Sequence, residues 1–204
     1  LPISKGAAEL AIRSHIKSFF PKDGSVNIAV GRAGNVIGGG DWASERIVPD
    51  CVRSWSKGKT VQLRNPQATR PWQHVLEPLS GYLTLAIHMS QNSELHGEPF
   101  NFGPPAHHND TVLELVQAMS HHWEQVRWED ISTHGEQLYE SGLLKLNCDK
   151  ALHYLNWQAA LSFPETVRMT AEWYRSYYED SSKVREVTFA QIREYENLFS
   201  RYVL

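Results

Sequence analysis

A glycine-rich segment near the start of the chain has the composition of a ligand-binding loop. Residues 26–30 alternate apolar and polar side chains and then become wholly apolar, as in a buried central strand, and glycines recur through residues 31–40. A loop that cradles a dinucleotide pyrophosphate runs directly into an amphipathic helix, because the helix N-terminus holds the phosphate. Here the glycines lead to Asp41 and Trp42, and no acidic residue ends a second strand about 20 residues later, as ribose recognition requires. The pattern therefore predicts a sharply turned loop that contacts a substrate rather than a cofactor.

The histidine and cysteine residues have spacings that do not suit a metal site. Adjacent side chains, as in His107–His108 and His121–His122, do not converge on one ion, and the chain has no HExxH pattern and no CxxC pair. We predict solvated or hydrogen-bonded histidines, buried apolar thiols at Cys51 and Cys148, and no metal. The sequence has no disulfide framework, which indicates a reducing compartment, the cytoplasm.

Apolar periodicity divides the chain into alternating helices and short strands. The spacing predicts helices at 4–20, 47–57, 77–91, 111–123, 148–155, 164–178 and 188–202, and strands at 26–30, 61–63, 99–102, 126–128 and 143–146. Thr111 or Asp110, and later Thr188, are the expected N-caps. This alternation predicts an α/β fold, with the end of a parallel-sheet domain at residues 1–60 and a smaller mixed α/β lobe at residues 61–204.

Composition excludes several classes of protein. The 204 residues are 41% hydrophobic, so the chain can bury a core and is not disordered. The net charge is −3 and no basic tract is present, which argues against nucleic acid as a partner. No apolar run approaches the roughly 18 residues that a membrane span requires. The sequence does not decide whether the chain forms a homo-oligomer.

Four motifs in one register carry a resemblance to a known family. They are RAGNVIGGGDW at residues 32–42, RIVPD at 46–50, LRNP at 63–66 and TRPWQHVLEP at 69–78. Together they resemble the CDP-glucose 4,6-dehydratases, which are members of the extended short-chain dehydrogenase/reductase family. The likeness is dense over residues 30–86 and looser to the C-terminus, where Tyr139–Glu140 and Asn156–Trp157 match later segments and Asn147 stands at a position usually held by aspartate.

The resemblance implies both a fold and a reaction. The family has an N-terminal Rossmann domain that binds NAD and a C-terminal lobe that binds the nucleotide sugar. Residues 1–60 would then be the end of the Rossmann-like domain, and residues 61–204 the nucleotide-sugar-binding lobe. The enzyme oxidises C4 of the sugar by hydride transfer to NAD, eliminates water across C5 and C6, and returns the hydride to C6. The product is CDP-4-keto-6-deoxyglucose, a precursor of the deoxysugars of O-antigens.

The start of the chain departs from the family pattern. The family carries Tyr-x-x-x-Lys, in which the tyrosinate removes the sugar hydroxyl proton and the lysine bonds the nicotinamide ribose. Lys5 matches the lysine, but Leu1 occupies the tyrosine position, and leucine has no ionisable group. By resemblance, Lys5 is the catalytic and cofactor-binding residue; taken alone, the Ser-Lys pair favours an exposed lysine in a first helical turn. The glycine-rich NAD loop is also absent, so we expect the C-terminal part of the enzyme.

The resemblance also implies a set of substrate contacts. Asn35 and Arg70 would hold the diphosphate, since the planar arginine fork suits two phosphates. The alternative is that Arg70 pairs with a carboxylate such as Asp50 or Glu77 and that Asn35 caps a turn. Backbone groups of Gln62, Leu63 and Arg64 would face the pyrimidine, or else form an ordinary edge strand. Arg46 and Trp42 would close over the ligand.

Three functional hypotheses remain open from the sequence. The first is the sugar-nucleotide-binding part of an NAD-dependent CDP-glucose 4,6-dehydratase, inactive as an isolated chain. The second is a non-catalytic module that binds cytidine nucleotide sugars. The third is a related nucleotide-sugar epimerase or dehydratase, against which the motifs at residues 64–66 and 70–72 weigh. A fragment without its neighbouring strands should expose apolar edges and self-associate.

Overall fold

Helices and short strands alternate along the chain in the structure, a computed structural model that describes residues 2–105, 109–124, 126–132 and 145–203. The helices are α1 (Pro2–Phe19), α2 (Ile47–Trp55), α3 (Leu76–Gln91), α4 (Val112–Ser120), α5 (Asp149–Leu155), α6 (Phe163–Glu179) and α7 (Val184–Val203). The strands are β1 (Val30–Ala33), β2 (Asn35–Ile37), β3 (Val61–Leu63), β4 (Trp72–His74), β5 (Pro99–Phe102) and β6 (Trp128–Asp130). Single 3₁₀ turns lie at Ser93–Leu95 and Ser181–Lys183. The predicted residues His107–His108 and Tyr139–Glu140 lie outside the described residues.

Every strand pair in the described part of the chain is parallel. Strand β1 pairs with β5, β2 with β4, and β3 with β6. Parallel strands need crossover connections, and the helices between them supply these. The structure therefore confirms the predicted α/β class with parallel strands.

The strand predicted at residues 26–30 begins later than the apolar pattern indicated. Strand β1 starts at Val30 and runs through Gly31, so the first part of the glycine-rich segment is extended rather than turned. The glycine is needed for packing, because a Cβ at Gly31 would lie 2.6 Å from the ring of Tyr82 on α3. The prediction treated this glycine as a turn signal and was wrong, since close approach of a helix also requires glycine.

Local capping explains where several helices begin. Thr111, one of the two predicted N-caps, begins α4 and forms a capping box with Glu114, and Ser162 and Glu165 form another at the start of α6. The predicted cap at Thr188 is wrong. Helix α7 begins at Val184, and the Thr188 hydroxyl instead donates to the Val184 carbonyl at 2.8 Å.

Most of the strands and helices pack into two main hydrophobic cores. The first core joins β2, β3 and β4 to α2, α4 and α6, with Leu63, Leu115 and Tyr174 at most 1% exposed. The second core joins β5 to α3 and α5 around Phe102 and Trp157. The first core takes residues from both sides of position 60, so elements from the two sides of the predicted domain boundary interleave. The boundary itself stays a prediction.

Apolar side chains also remain on the surface. Helix α3 exposes Leu79, Leu83 and Ile87, of which Leu83 is 68% exposed. Among the described helices, none is both long enough and apolar enough to cross a membrane.

Candidate functional site

The parallel register of β2 and β4 brings together the two segments that carry the predicted diphosphate contacts. Asn35, the first residue of β2, lies opposite Trp72, the first residue of β4. Arg70 precedes Trp72 by two residues, and the Trp72 amide donates to the Arg70 carbonyl at 2.9 Å. Both residues therefore stand at the same end of one strand pair.

Gly34 permits this close approach. A Cβ at Gly34 would lie 3.3 Å from the Pro71 carbonyl oxygen and 2.9 Å from the Leu146 Cδ1 atom. The two nearest atoms belong to side chains, since such a Cβ would also lie 3.1 Å from the Pro71 Cγ atom. The glycine is thus explained by close packing against Leu146 and Pro71 rather than by a phosphate-binding loop.

The backbone around Arg70 is fixed by neighbouring groups. Its amide donates to the Asp110 carbonyl at 3.1 Å, and its guanidinium Nη1 donates to the Thr69 carbonyl at 2.8 Å. The two carboxylates considered as partners for Arg70 have other contacts. Asp50 accepts from Arg53, and Glu77 accepts from the amides of Ala160 and Leu161.

Strand β3 and the residue after it carry the three residues predicted to face a pyrimidine, and these residues have different surroundings. The Leu63 carbonyl accepts the Ile131 amide at 3.0 Å, and its side chain lies in the first core. Because backbone groups of alternate residues face opposite edges of a strand, Gln62 turns its amide and carbonyl away from β6. Gln62 and Arg64 are exposed, whereas Leu63 anchors the strand between them.

Arg46 and Trp42 both lie on the exposed segment between β2 and α2. Arg46 is exposed and stands immediately before α2. The Trp42 ring packs against Tyr174 and Tyr177 of α6, with ring centroids 5.3 and 4.8 Å apart. Trp42 therefore fastens the segment to α6.

Lys5 is exposed near the start of α1, which is a different element from the strand pair β2 and β4. Glu9 lies one helical turn later and holds the guanidinium of Arg32 on β1 through an ion pair. Residues four apart share a helix face, so Lys5 lies on the side of α1 that faces β1. Leu1 lies outside the described residues.

Two buried ionisable residues, His74 and Glu77, follow the Arg70 segment in the chain. His74 is 2% exposed, and its Nδ1 accepts the Leu76 amide at 3.4 Å, which leaves the proton on Nε2. Among the described residues, Nε2 has no hydrogen-bond partner. Burial lowers the pKa of His74 to about 4, and the positive charge of Arg168 acts in the same direction.

Glu77 is the second of these residues and is 1% exposed. Its Oε1 accepts the amides of Ala160 and Leu161 at 2.9 and 2.7 Å, and its Oε2 accepts the Tyr195 hydroxyl at 2.8 Å. Burial raises the pKa of Glu77 to about 7, although these hydrogen bonds act to lower it. The sequence could have indicated these hydrogen bonds, because Glu77 is an acidic residue within an otherwise apolar helical stripe.

The structure thus brings together the segments of Asn35 and Arg70 and leaves the other predicted residues on separate elements. Lys5 is on α1, Arg46 precedes α2, and Gln62 and Arg64 are on and after β3. Within the described ranges, no group of three or more histidine, cysteine, aspartate or glutamate side chains could hold a metal ion.

A sequence comparison with characterised proteins supports the motif resemblance. The CDP-glucose 4,6-dehydratase of Salmonella typhimurium strain LT2 is 39% identical over 180 residues, which cover 85% of this chain and 49% of the relative. This confirms the resemblance to CDP-glucose 4,6-dehydratase. The chain spans about half the length of that relative. No protein-family model matches the chain.

Solved structures of the same fold are nucleotide-sugar epimerases and dehydratases. The UDP-glucuronic acid 4-epimerase of Bacillus cereus, in complex with UDP-glucuronic acid and NAD, has a TM-score of 0.70 at 13% identity and matches 86% of this chain and 52% of its own. The dTDP-glucose 4,6-dehydratase of Bacillus anthracis, in complex with NAD, has a TM-score of 0.63 at 17% identity and matches 90% of this chain and 53% of its own. These likenesses confirm a Rossmann-like α/β fold.

Proposed function

We propose that this chain, a relative of the nucleotide-sugar dehydratases and epimerases, is the nucleotide-sugar-binding part of an NAD-dependent CDP-glucose 4,6-dehydratase. The reaction converts CDP-glucose to CDP-4-keto-6-deoxyglucose and water. The observation that carries the proposal is the register of β2 and β4, in which Asn35 lies opposite Trp72 and Arg70 is two residues away. The 39% identity to a CDP-glucose 4,6-dehydratase supports the choice of substrate.

Each substrate contact has a chemical reason. The Arg70 guanidinium offers several N–H donors in one plane, which suits diphosphate oxygens, and its charge offsets theirs. The Asn35 amide donates beside it. Gln62 turns backbone groups away from β6 and so can pair with the edge of a cytosine, while Arg64 follows at the end of the strand. Arg46 approaches from the start of α2.

NAD fits the residues of this chain at one point. Lys5 lies on the face of α1 that is directed to β1, where it would bond the nicotinamide ribose. The glycine-rich segment does not fit a pyrophosphate, because residues 30–37 are two strands and the following turn reaches α2 only at Ile47. When bound, NAD supplies the hydride acceptor for C4 of the sugar. We propose that most of its contacts belong to the other half of the relative's length.

The proposal predicts selective binding. In calorimetry, the chain should bind CDP-glucose more tightly than UDP-glucose, and Arg70→Lys should weaken CDP-glucose binding by about tenfold, because lysine cannot present the planar fork. Arg193→Lys is the matched control, since Arg193 is an exposed arginine on α7, and should bind like the wild type. Equal affinity for the two sugars would reject the cytidine assignment, and no binding to either would reject the proposal.

The chain as given should not turn over substrate. Leucine at the position of the tyrosine base cannot accept the sugar hydroxyl proton. With CDP-glucose and NAD, a sensitive assay for the 4-keto product should give no signal. Measurable product would show that the chain is itself an active enzyme.

A further inference from the structure

The segment from Gly38 to Arg46, which we call the 38–46 loop, joins β2 to α2 without regular secondary structure. Residues 42–46 are exposed, and the loop ends on Arg46, the proposed ligand contact at the start of α2. An exposed loop of this length has little conformational preference of its own. Its shape therefore depends on the contacts that fasten it.

Helix α6 fastens the first part of the loop. A Cβ at Gly39 would lie 1.9 Å from the Trp173 ring, so the backbone lies directly on the indole. The Tyr174 hydroxyl donates to the Asp41 carbonyl at 2.6 Å. The Asp41 carboxylate in turn accepts the Ala43 amide at 2.9 Å.

One side chain from α2 fastens the second part. The Arg53 guanidinium donates from Nη1 to the Trp42 carbonyl at 3.2 Å and from Nη2 to the Ala43 carbonyl at 3.0 Å. Its Nε donates to the Pro49 carbonyl at 3.2 Å, and Nη2 also donates to the Asp50 carboxylate at 2.6 Å. Three nitrogens thus reach four acceptors, two of them in the loop and two in the first turn of α2.

We infer that Arg53 is a positioning residue that sets the 38–46 loop, and with it Arg46, for nucleotide-sugar binding. The inference rests on the proposed function, because it takes Arg46 as a ligand contact. Arg53 ties the loop carbonyls to the start of α2, so the chain between them, which includes Arg46, is held at both ends. Lysine keeps the charge beside Asp50 but cannot place donors at Trp42, Ala43 and Pro49 together, since its ammonium is a single point.

Amide hydrogen exchange tests the positioning without a ligand. In Arg53→Lys, exchange should rise by about tenfold at the amides of Ala43 and Asp50, which donate to the Asp41 carboxylate and the Arg46 carbonyl, while protection of the first core stays as in the wild type. Arg193→Lys serves again as the control and should leave the loop unchanged. Exchange at the wild-type rate in Arg53→Lys, or acceleration spread equally over the whole chain, would overturn the inference.

Calorimetry with CDP-glucose tests the consequence for binding. Arg53→Lys should weaken binding by about tenfold, a loss that originates in the loop because the guanidinium of Arg53 donates to groups of the loop and of the first turn of α2. Faster loop exchange with unchanged affinity would show that Arg53 holds the loop but does not position a ligand contact, and would overturn the inference. If the wild type itself fails to bind, the proposed function fails, and the exchange experiment still decides whether Arg53 fixes the loop.

Discussion

The first core and the outer face of α3 differ in how completely their apolar side chains are covered. In the first core, Leu115 and Met119 of α4 and Tyr174 of α6 have no exposed surface. On α3, Leu79, Leu83 and Ile87 form a stripe at helical spacing that is 48–68% exposed. The first core is therefore covered by the chain's own residues, whereas the outer face of α3 leaves apolar surface uncovered. Stability and self-association should accordingly depend on different parts of the chain.

The largest expected effect is the difference between the two regions in the free energy of unfolding that is lost when a leucine is truncated to alanine. Leu115→Ala should lower the free energy of unfolding by about 2–5 kcal/mol, because it removes buried surface and leaves a cavity. Leu83→Ala should change it by about 0.5 kcal/mol or less, since the side chain is already mostly in water. Urea unfolding of the two variants measures both values. Equal losses would contradict the comparison, because they would require α3 to be covered.

Glu77 lies on the buried face of α3, and its titration gives a second test. Its pKa is raised to about 7 in the folded chain, above the ordinary value of 4.5, so the folded state holds the proton between these values and the unfolded state does not. The contribution of Glu77 is therefore fully present below about pH 4.5 and falls by about 3 kcal/mol as the pH rises to 7. His74 acts with the opposite sign: its pKa is lowered to about 4, so its contribution rises with pH up to about 6.5.

The variant Glu77→Gln isolates the carboxyl effect. Its amide oxygen can still accept from Ala160 and Leu161, and its amide nitrogen can donate to the Tyr195 hydroxyl. We expect the stability of the variant relative to the wild type to increase by about 3 kcal/mol between pH 4.5 and 7.5. Chemical unfolding at a series of pH values measures this. Glu186→Gln removes one charge from the exposed surface of α7 and is the control; a constant difference between Glu77→Gln and the wild type would contradict the burial argument.

Features formed by nearby residues were predictable from the sequence, and features formed across the chain were not. The capping box of Thr111 and Glu114 depends on residues three apart, and the pattern predicted it. The contact between Arg53 and the carbonyls of Trp42 and Ala43 depends on how a loop folds back over α2. Gly31 shows the same limit, since only the position of the Tyr82 ring explains why the residue is glycine.

The candidate site divides in the same way. The motifs at residues 32–42 and 69–78 indicated Asn35 and Arg70 separately, but no spacing in the sequence shows that the two segments pair. That information lies in the parallel register of β2 and β4, with Asn35 opposite Trp72. The role of Leu63 shows the reverse case, because a residue inside a matching motif serves the core.

The smallest expected effect on stability tests the uncovered face of α3 directly. Exposed apolar patches of this kind favour association, so the wild type should self-associate as its concentration rises. Leu83→Glu places a charge at the most exposed position of the stripe and should shift the chain toward the monomer, while the free energy of unfolding changes by about 0.5 kcal/mol or less. Sedimentation velocity over a range of concentrations measures the assembly, and Glu94→Gln, an exposed change in the 3₁₀ turn after α3, is the control. A wild type that stays monomeric at high concentration would contradict the comparison, because it would mean that the α3 stripe tolerates water without a partner.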